Sequence, residues 1–367
     1  MTLDLYLARR FAFSFLRVFA IFFGVLLLID LIEQIRRFSD VDIALSQAFV
    51  LALLNVPQNL YGILPLLMVL SAIMLFLGLA KSSELVVVRA AGRAGLRFLL
   101  APVATALVIG LLAVAVFNPL VAATSKEYER RSAVLAGAAG AGAVLSVSAE
   151  GLWLRQGDAL GQTVIHAAQI TPEGTELSQV TLHLFSPTGA LTGRIEAAKA
   201  RLQPGEWVLE GAKIWQFDST NPEAAATQSD GALSLATDMT PAKLVEGLGD
   251  QSRVSFWNLN GQAQALERAG FSDRSLLLAY QMELALPLLL AAMVLVAAGF
   301  TMRHARFGKT GQMVLFALLA GFFIFFIRNF AQVLGENGQI PTIVAAWTPP
   351  VAASLLALSL LLHLEDG

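Results

Sequence analysis

Six stretches of this chain are apolar for about twenty residues each, the length that crosses a hydrocarbon core of about 30 Å. They are Phe11 to Ile32, Leu60 to Ala80, Phe98 to Val121, Leu276 to Phe300, Gln312 to Val333 and Ile343 to His363. Such runs must be buried in protein or in lipid. Of the 367 residues, 56% are hydrophobic and only 14% are Asp, Glu, Lys or Arg. A typical soluble domain carries about 25% charged residues, so the balance points to lipid. The first run is too long for a secretion signal and no small-x-small cleavage site follows it, so it reads as an uncleaved helix. Ala44 to Val56 is apolar but short. It reads as an interfacial helix, or as the first turns of a bent second span broken at Pro57.

Charge divides the chain. Residues 123–275 hold 12 Lys+Arg and 17 Asp+Glu, a net of −5, whereas the flanks carry a net of +3. The expected organisation is 1–122 with three spans, 123–275 as an extramembrane domain, and 276–367 with three more spans. Six spans put both termini on one side. Arg9, Arg10, Arg17, Lys81, Arg89, Arg93, Arg97, Arg303, Arg306 and Lys309 flank one set of span ends. By the positive-inside rule that side is cytoplasmic and the large domain lies outside, in the periplasm of a two-membrane bacterium.

Within the middle domain, Gly/Pro turn signals recur at Gln156-Gly157-Asp158, Thr171-Pro172-Glu173-Gly174, Ser186-Pro187-Thr188-Gly189, Gln203-Pro204-Gly205-Glu206 and Ser219-Thr220-Asn221-Pro222. Alternating stretches lie between them, such as Val180 to Phe185 and Trp207 to Phe217. Period-2 patterning with such turns predicts antiparallel strands. The reading is an all-β meander, sandwich or jelly roll over about 144–238, entered through the Gly/Ala joint Ala136 to Val144. Thr240 to Gly270 reads as helical or mixed.

Several chemistries lack support. There is no Cys, which excludes disulfides, thiolate metal sites and a Cys nucleophile. The net charge of −2 marks no nucleic-acid binder. Gly308-Lys309-Thr310 imitates the end of a P-loop, but Arg303 stands where the motif needs Gly. His166, His183, His304 and His363 have no metal spacing, and no GxSxG elbow occurs.

Charge inside lipid is costly and points to function. Asp30 and Arg328 each lie about 27–28 Å along an outward-running span at 1.5 Å per residue, so they share a depth. They are expected to pair, within the chain or across a subunit interface, the plain alternative being that each snorkels alone. Glu283, a turn before Pro287, reads as capping or kinking the start of span four, or as a wetted helix end. Arg36 and Arg37 end span one on the outer side, where Arg forks match phosphate; an interfacial anchor is the plain alternative. Lys126, Arg130 and Arg131 follow span three at similar height, interleaved with Glu127 and Glu129, so a self-paired helix rivals a ligand site.

Lys81 to Arg97 reads KSSELVVVRAAGRAGLR. Ser82 or Ser83 caps a short helix over about 82–92, and Glu84 suits its first turn. Its apolar patch, Leu85 to Val88, needs a protein surface or the bilayer to cover it.

The run Ser83-Glu84-Leu85-Val86-Val87-Val88-Arg89-Ala90-Ala91-Gly92 resembles the hallmark of the LptF/LptG (YjgP/YjgQ) lipopolysaccharide export permeases. The opening Leu5-Tyr6-Leu7-Ala8-Arg9-Arg10 and Val56-Pro57 also resemble that family. Glu150-Gly151-Leu152-Trp153-Leu154 and Glu33-Gln34-Ile35-Arg36-Arg37 stand closer to its LptG branch than to LptF. The resemblance implies a six-helix membrane protein with a periplasmic β jelly roll between helices three and four, in the bacterial inner membrane. It implies a heterodimer with an LptF-like permease on an LptB-like ATPase dimer, which would bind the ATP and Mg; no cofactor is expected in this chain. It also implies an LptC-like gate helix, an LptA-like periplasmic bridge, and lipopolysaccharide entering sideways past helices one and five. Carried over, Arg36, Arg37 and Lys126 would meet lipid A phosphates. Arg130 and Arg328 complete the expected substrate set, and Ser83, Glu84, Leu85, Val88 and Arg89 the ATPase-coupling set. Asp30 departs from the family, some members of which carry Lys there. The rivals are an LptF-type seat in the same complex, a membrane-anchored periplasmic interaction protein, and a lipid-modifying membrane enzyme.

Overall fold

A computed structural model describes residues 2–39, 43–82, 84, 95–135, 144–148, 151–158, 161–170, 176–186, 189–217, 226–229, 231–237, 239–240, 254–268, 273–302 and 310–366. Among them, five helices are long and apolar enough to cross a membrane, and a pair of helices bent at a short break brings the number to six when counted as one span. The chain forms two compact units: residues 1–128, 255–257 and 278–367, and residues 129–254 and 258–277.

In the first unit, span one is a single helix, α1 (Thr2–Arg37). Span two is α2 (Leu45–Gly62) and α3 (Leu64–Lys81), bent by 70°. The expected break at Pro57 is corrected: α2 runs through Pro57, and the bend falls at Ile63. Pro65 explains the shift. In a continuous helix its ring would meet the carbonyl four residues back, whereas in the first turn of a new helix its missing N–H leaves nothing unbonded. Span three is α4 (Gly95–Leu112), a π-helical stretch over Ala113–Phe117, and α5 (Asn118–Leu135). Spans four, five and six are α7 (Arg274–Thr301), α8 (Thr310–Glu336) and α9 (Thr342–Asp366). A shorter helix, α6 (Phe256–Arg268), precedes them within the stretch expected to be helical or mixed.

Lipid is as apolar as Leu, so spans hold together through close packing rather than the hydrophobic effect. Phe11, Leu60, Leu67, Phe76, Leu99 and Met293 lie in one buried cluster. Small residues set the closest approaches. A Cβ on Gly110 of α4 would lie 2.5 Å from the Pro287 Cα of α7, and one on Gly321 of α8 would lie 2.8 Å from Val69 of α3. Of the most apolar eighteen residues, 78% are buried within the chain in α7 and only 11% in α1 and in α8.

Among the described residues, the second unit carries an antiparallel sheet of nine strands: β1 (Val144–Ser148), β2 (Gly151–Asp158), β3 (Gly161–Ile170), β4 (Glu176–Phe185), β5 (Leu191–Gln203), β6 (Glu206–Glu210), β7 (Lys213–Gln216), β8 (Thr227–Gln228) and β9 (Leu233–Ala236). Strands β1 to β6 pair in sequence, and β5 is long enough to carry both β6 and β7 along one edge. Leu152, Leu154, Ile165, Val180, Leu182 and Ile195 turn to the buried face by alternation. The alternation slips at Gln179, which has a φ of 53°. Leu177 and Val180, three apart, are therefore both buried, as are Ala197 and Ala200 opposite them. Trp207 lies fully buried in this unit with its indole N–H unpaired among the described residues.

Candidate functional site

Three polar stations interrupt the apolar membrane unit. The first is the C-terminal end of α1. Arg36 is exposed and donates to Glu33 at 2.6 Å, one turn back. Arg37 donates to the Tyr128 hydroxyl of α5 at 3.0 Å and lies over the Phe38 ring at 5.6 Å. Tyr128 in turn donates to the buried Gln34 at 3.2 Å. The ends of α1 and α5 are thereby tied, and two guanidinium groups stand at the join. Lys126 is exposed on α5, and Arg130, also exposed, follows one turn later. Arg328 is not bonded to any of these residues.

The second station lies inside the bundle. Tyr61, two residues before the bend in span two, donates its hydroxyl to Glu283 of α7. Glu283 also lies beside Asn118 and in the field of Arg328 from α8. The Asn118 oxygen accepts the Phe256 backbone N–H at 2.7 Å. Phe256 stacks on Tyr280 with ring centroids 5.4 Å apart. Spans two, three, four and five thus converge on one carboxylate. Glu283 is nine residues inside α7, so the expectation that it caps the start of span four is corrected, and Pro287 lies a turn later within the same helix. The hydrogen bond from Tyr61 and the nearby Arg328 charge explain why a carboxylate is tolerated there.

Asp30 and Arg328 are not brought together within the chain. Asp30 is buried and accepts from Asn55 of α2 at 2.8 Å, leaving its Oδ2 without a partner among the described residues. Arg328 donates to its neighbour Asn329 at 3.3 Å, and its nearest opposite charge is Glu283 rather than Asp30. Helix rise speaks only to distance along a span; the direction in which each side chain points around its helix was not legible.

The third station is Glu84, just beyond α3. Arg10 Nη1 of α1 donates to both of its oxygens at 2.8 Å. Ser82 donates at 2.8 Å and Tyr6 at 3.2 Å. Arg10, held so close, keeps the Glu84 carboxyl below its ordinary value of 4.5. The other expected coupling residues, Ser83, Leu85, Val88 and Arg89, lie outside the described residues.

Tyr6, Asn55, Tyr61 and Asn118 were not singled out from the sequence. A search for charge alone passes over them. Polar residues within apolar runs, and a Tyr and an Arg four apart at a helix start, are the signals that find them.

Among the described residues, no three His, Asp or Glu side chains are grouped to hold a metal ion. In comparisons with known proteins, residues 5–363 match the family model of the lipopolysaccharide export system permease LptF/LptG. The chain is 25% identical over 338 residues to the lipopolysaccharide export system permease protein LptG of Escherichia coli strain K12, covering 92% of this chain and 91% of that one. It is 22% identical over 354 residues to the LptG protein of Haemophilus influenzae strain Rd, covering 95% and 94%.

Proposed function

We infer the work of this chain from its family: it belongs to the LptF/LptG permeases of the lipopolysaccharide export system. It is a multi-pass membrane protein and a permease subunit rather than a catalytic enzyme. The match over 5–363 carries that conclusion.

The chain takes the LptG seat of an ABC transporter in the inner membrane, opposite an LptF-like permease. Both termini are cytoplasmic, and residues 123–275 form the periplasmic domain between the membrane parts 1–122 and 276–367. ATP and Mg are bound by an LptB-like ATPase dimer docked on the loop between spans two and three. An LptC-like helix joins the gate, and an LptA-like bridge receives the lipid. Lipopolysaccharide leaves the outer leaflet past α1 and α8, whose apolar faces are the least covered by the chain itself. Arg36, Arg37, Lys126, Arg130 and Arg328 supply donors for its phosphates. Guanidinium forks and an apolar cavity suit an amphiphile with an anionic head. Transport follows when hydrolysis favours a state in which the cavity is closed.

The test is reconstitution with the partner permease and ATPase in lipopolysaccharide-loaded vesicles. ATP-dependent release of lipopolysaccharide is expected, with a loss of at least tenfold in Arg36→Glu/Arg37→Glu, since like charge at a phosphate site costs several kcal/mol. A chain that forms no complex and releases no lipid overturns the reading; full release by the double variant overturns the phosphate assignment.

A further inference from the structure

Two cross-strand rows lie side by side on the face of the sheet turned away from its core. In one, Trp153 of β2, His166 of β3, Glu196 of β5 and Lys213 of β7 stand in register, with Thr181 of β4 among them. In the next, His183, Arg194 and Trp215 follow one another from β4 to β7, and Arg155 stands at the β2 end. These positions alternate along the strands with Leu154, Ile165, Leu182 and Ile195, which are buried on the other face. With about 4.8 Å between strands, the rows run about 19 Å from β2 to β7.

The side chains brace one another. The Trp153 and His166 rings have centroids 4.4 Å apart. Lys213 Nζ stands 4.6 Å from the Trp215 ring centroid, and the Arg194 guanidinium 5.7 Å from it. Arg194 also donates to Glu196. All six are half-buried, so their rotamers are already restricted and a ligand would lose little affinity to ordering them. Glu196 is the one acid of the two rows, against Arg155, Arg194 and Lys213, although residues 123–275 as a whole carry a net of −5. Burial and the neighbouring Arg194 hold the His183 imidazole below its ordinary value of 6.5, which leaves a neutral hydrogen-bonding group at neutral pH.

We propose that this face binds an acidic saccharide: Trp153 and His166 offer ring surface to the C–H side of a sugar, and Arg194 and Lys213, braced on Trp215, take its carboxylate or phosphate. A neutral sugar would leave the cations unmatched, and an acidic peptide would leave the ring surface unused. The occupant is the core saccharide of lipopolysaccharide, so the inference rests on the reading that the chain exports that lipid. Sugar hydroxyls lose their hydrogen bonds in an apolar core, and an outward polar face is where they can be held.

The experiment uses the complete complex with its partner permease and ATPase. In nanodiscs it is titrated calorimetrically with core oligosaccharide cleaved from lipid A, with neutral maltohexaose and with a glutamate peptide. Only the first should bind. Its affinity should fall about tenfold in Arg194→Gln/Lys213→Gln, the scale of losing a charge-assisted hydrogen bond. Trp153→Ala should weaken it similarly, and Trp153→Phe should keep most of it. In vesicles, the double variant should slow ATP-dependent release of sugar-bearing lipopolysaccharide and leave release of sugarless lipid A unchanged. No binding of the core oligosaccharide to the native complex, undiminished binding to the double variant, or equal binding of maltohexaose or the peptide overturns the proposal. Equal slowing of both lipids overturns it too, since the face would then not act through sugar. A native complex that releases neither lipid marks failure of the export reading instead, and the sugar titration judges the face separately.

Discussion

Span four and spans one and five are equally apolar but differently employed. In α7, 78% of the apolar window is covered by the chain itself; in α1 and α8 only 11% is. Leu290, Ala292, Met293 and Val294 have no exposed surface, whereas Phe322, Phe323, Phe326 and Phe330 of α8 point away from the chain. Hydropathy measures the cost of water and is blind to this difference, because lipid and a neighbouring helix satisfy it alike. The difference teaches that α7 is the post on which the unit is packed, and that α1 and α8 are faces kept for something outside the chain.

Three substitutions test that division. The largest effect is expected where backbones touch. Gly110→Leu drives a side chain into the Pro287 backbone of α7 and should cost about 3 kcal/mol, at the upper end for overpacking. It is read as loss of folded protein in a detergent melt, and a native melting curve would show that α4 and α7 are not packed as described. Next, Leu290→Ala on α7 should cost about 2 kcal/mol, the low end for a core truncation, since the transfer contribution is small when the alternative environment is lipid. Its counterpart on α8, Phe323→Ala, should change stability by no more than about 0.5 kcal/mol. It should instead weaken association with the partner permease, measured by co-purification. Equal melting shifts in the two variants would abolish the contrast.

The smallest effect concerns pH. The lowered carboxyl of Glu84 means that the folded chain holds its proton less tightly than the unfolded chain does. The contribution of the Arg10–Glu84 pair is therefore complete above the ordinary carboxylate value of 4.5 and fades as pH falls through the lower folded value. Both partners are about one-third exposed, so solvent screens the pair and the effect is small. The separation of spin labels at Leu16→Cys on α1 and Met74→Cys on α3, both exposed, should be constant from about pH 8 to about pH 5.5 and grow only below that carboxylate value; growth between about pH 8 and 6 would point to another group.

Much of this architecture was legible in the sequence because its causes are local. Twenty apolar residues make a span wherever they occur, and Val180 to Phe185 alternates because one face of β4 is buried. What was not legible depends on rotation and on partners distant in sequence. Proline marks two positions in span two, and only packing decides that Pro65 rather than Pro57 starts a new helix. Helix rise gave Asp30 and Arg328 the same expected depth, yet Asp30 accepts from Asn55 and Arg328 lies in the field of Glu283. Tyr61, neutral and unremarked in a charge count, supplies the hydrogen bond that makes a carboxylate in span four tolerable, and Asn118 lies beside it.

The five π-helical residues before Asn118 set the azimuth of everything that follows them in span three. Such a stretch accommodates one residue more than an α-helix of the same length, and each residue turns an α-helix by about 100°. A chain one residue shorter there would run straight on, and its Asn would arrive more than a quarter-turn away from Glu283 and from the Phe256 amide it now receives. Tyr128, Gln34 and Arg37, which meet at the far end of the same rod, would lose their phase with it. The wide turn thus works as an angular adjustment: one inserted residue sets both the polar knot inside the bundle and the basic pair at its rim.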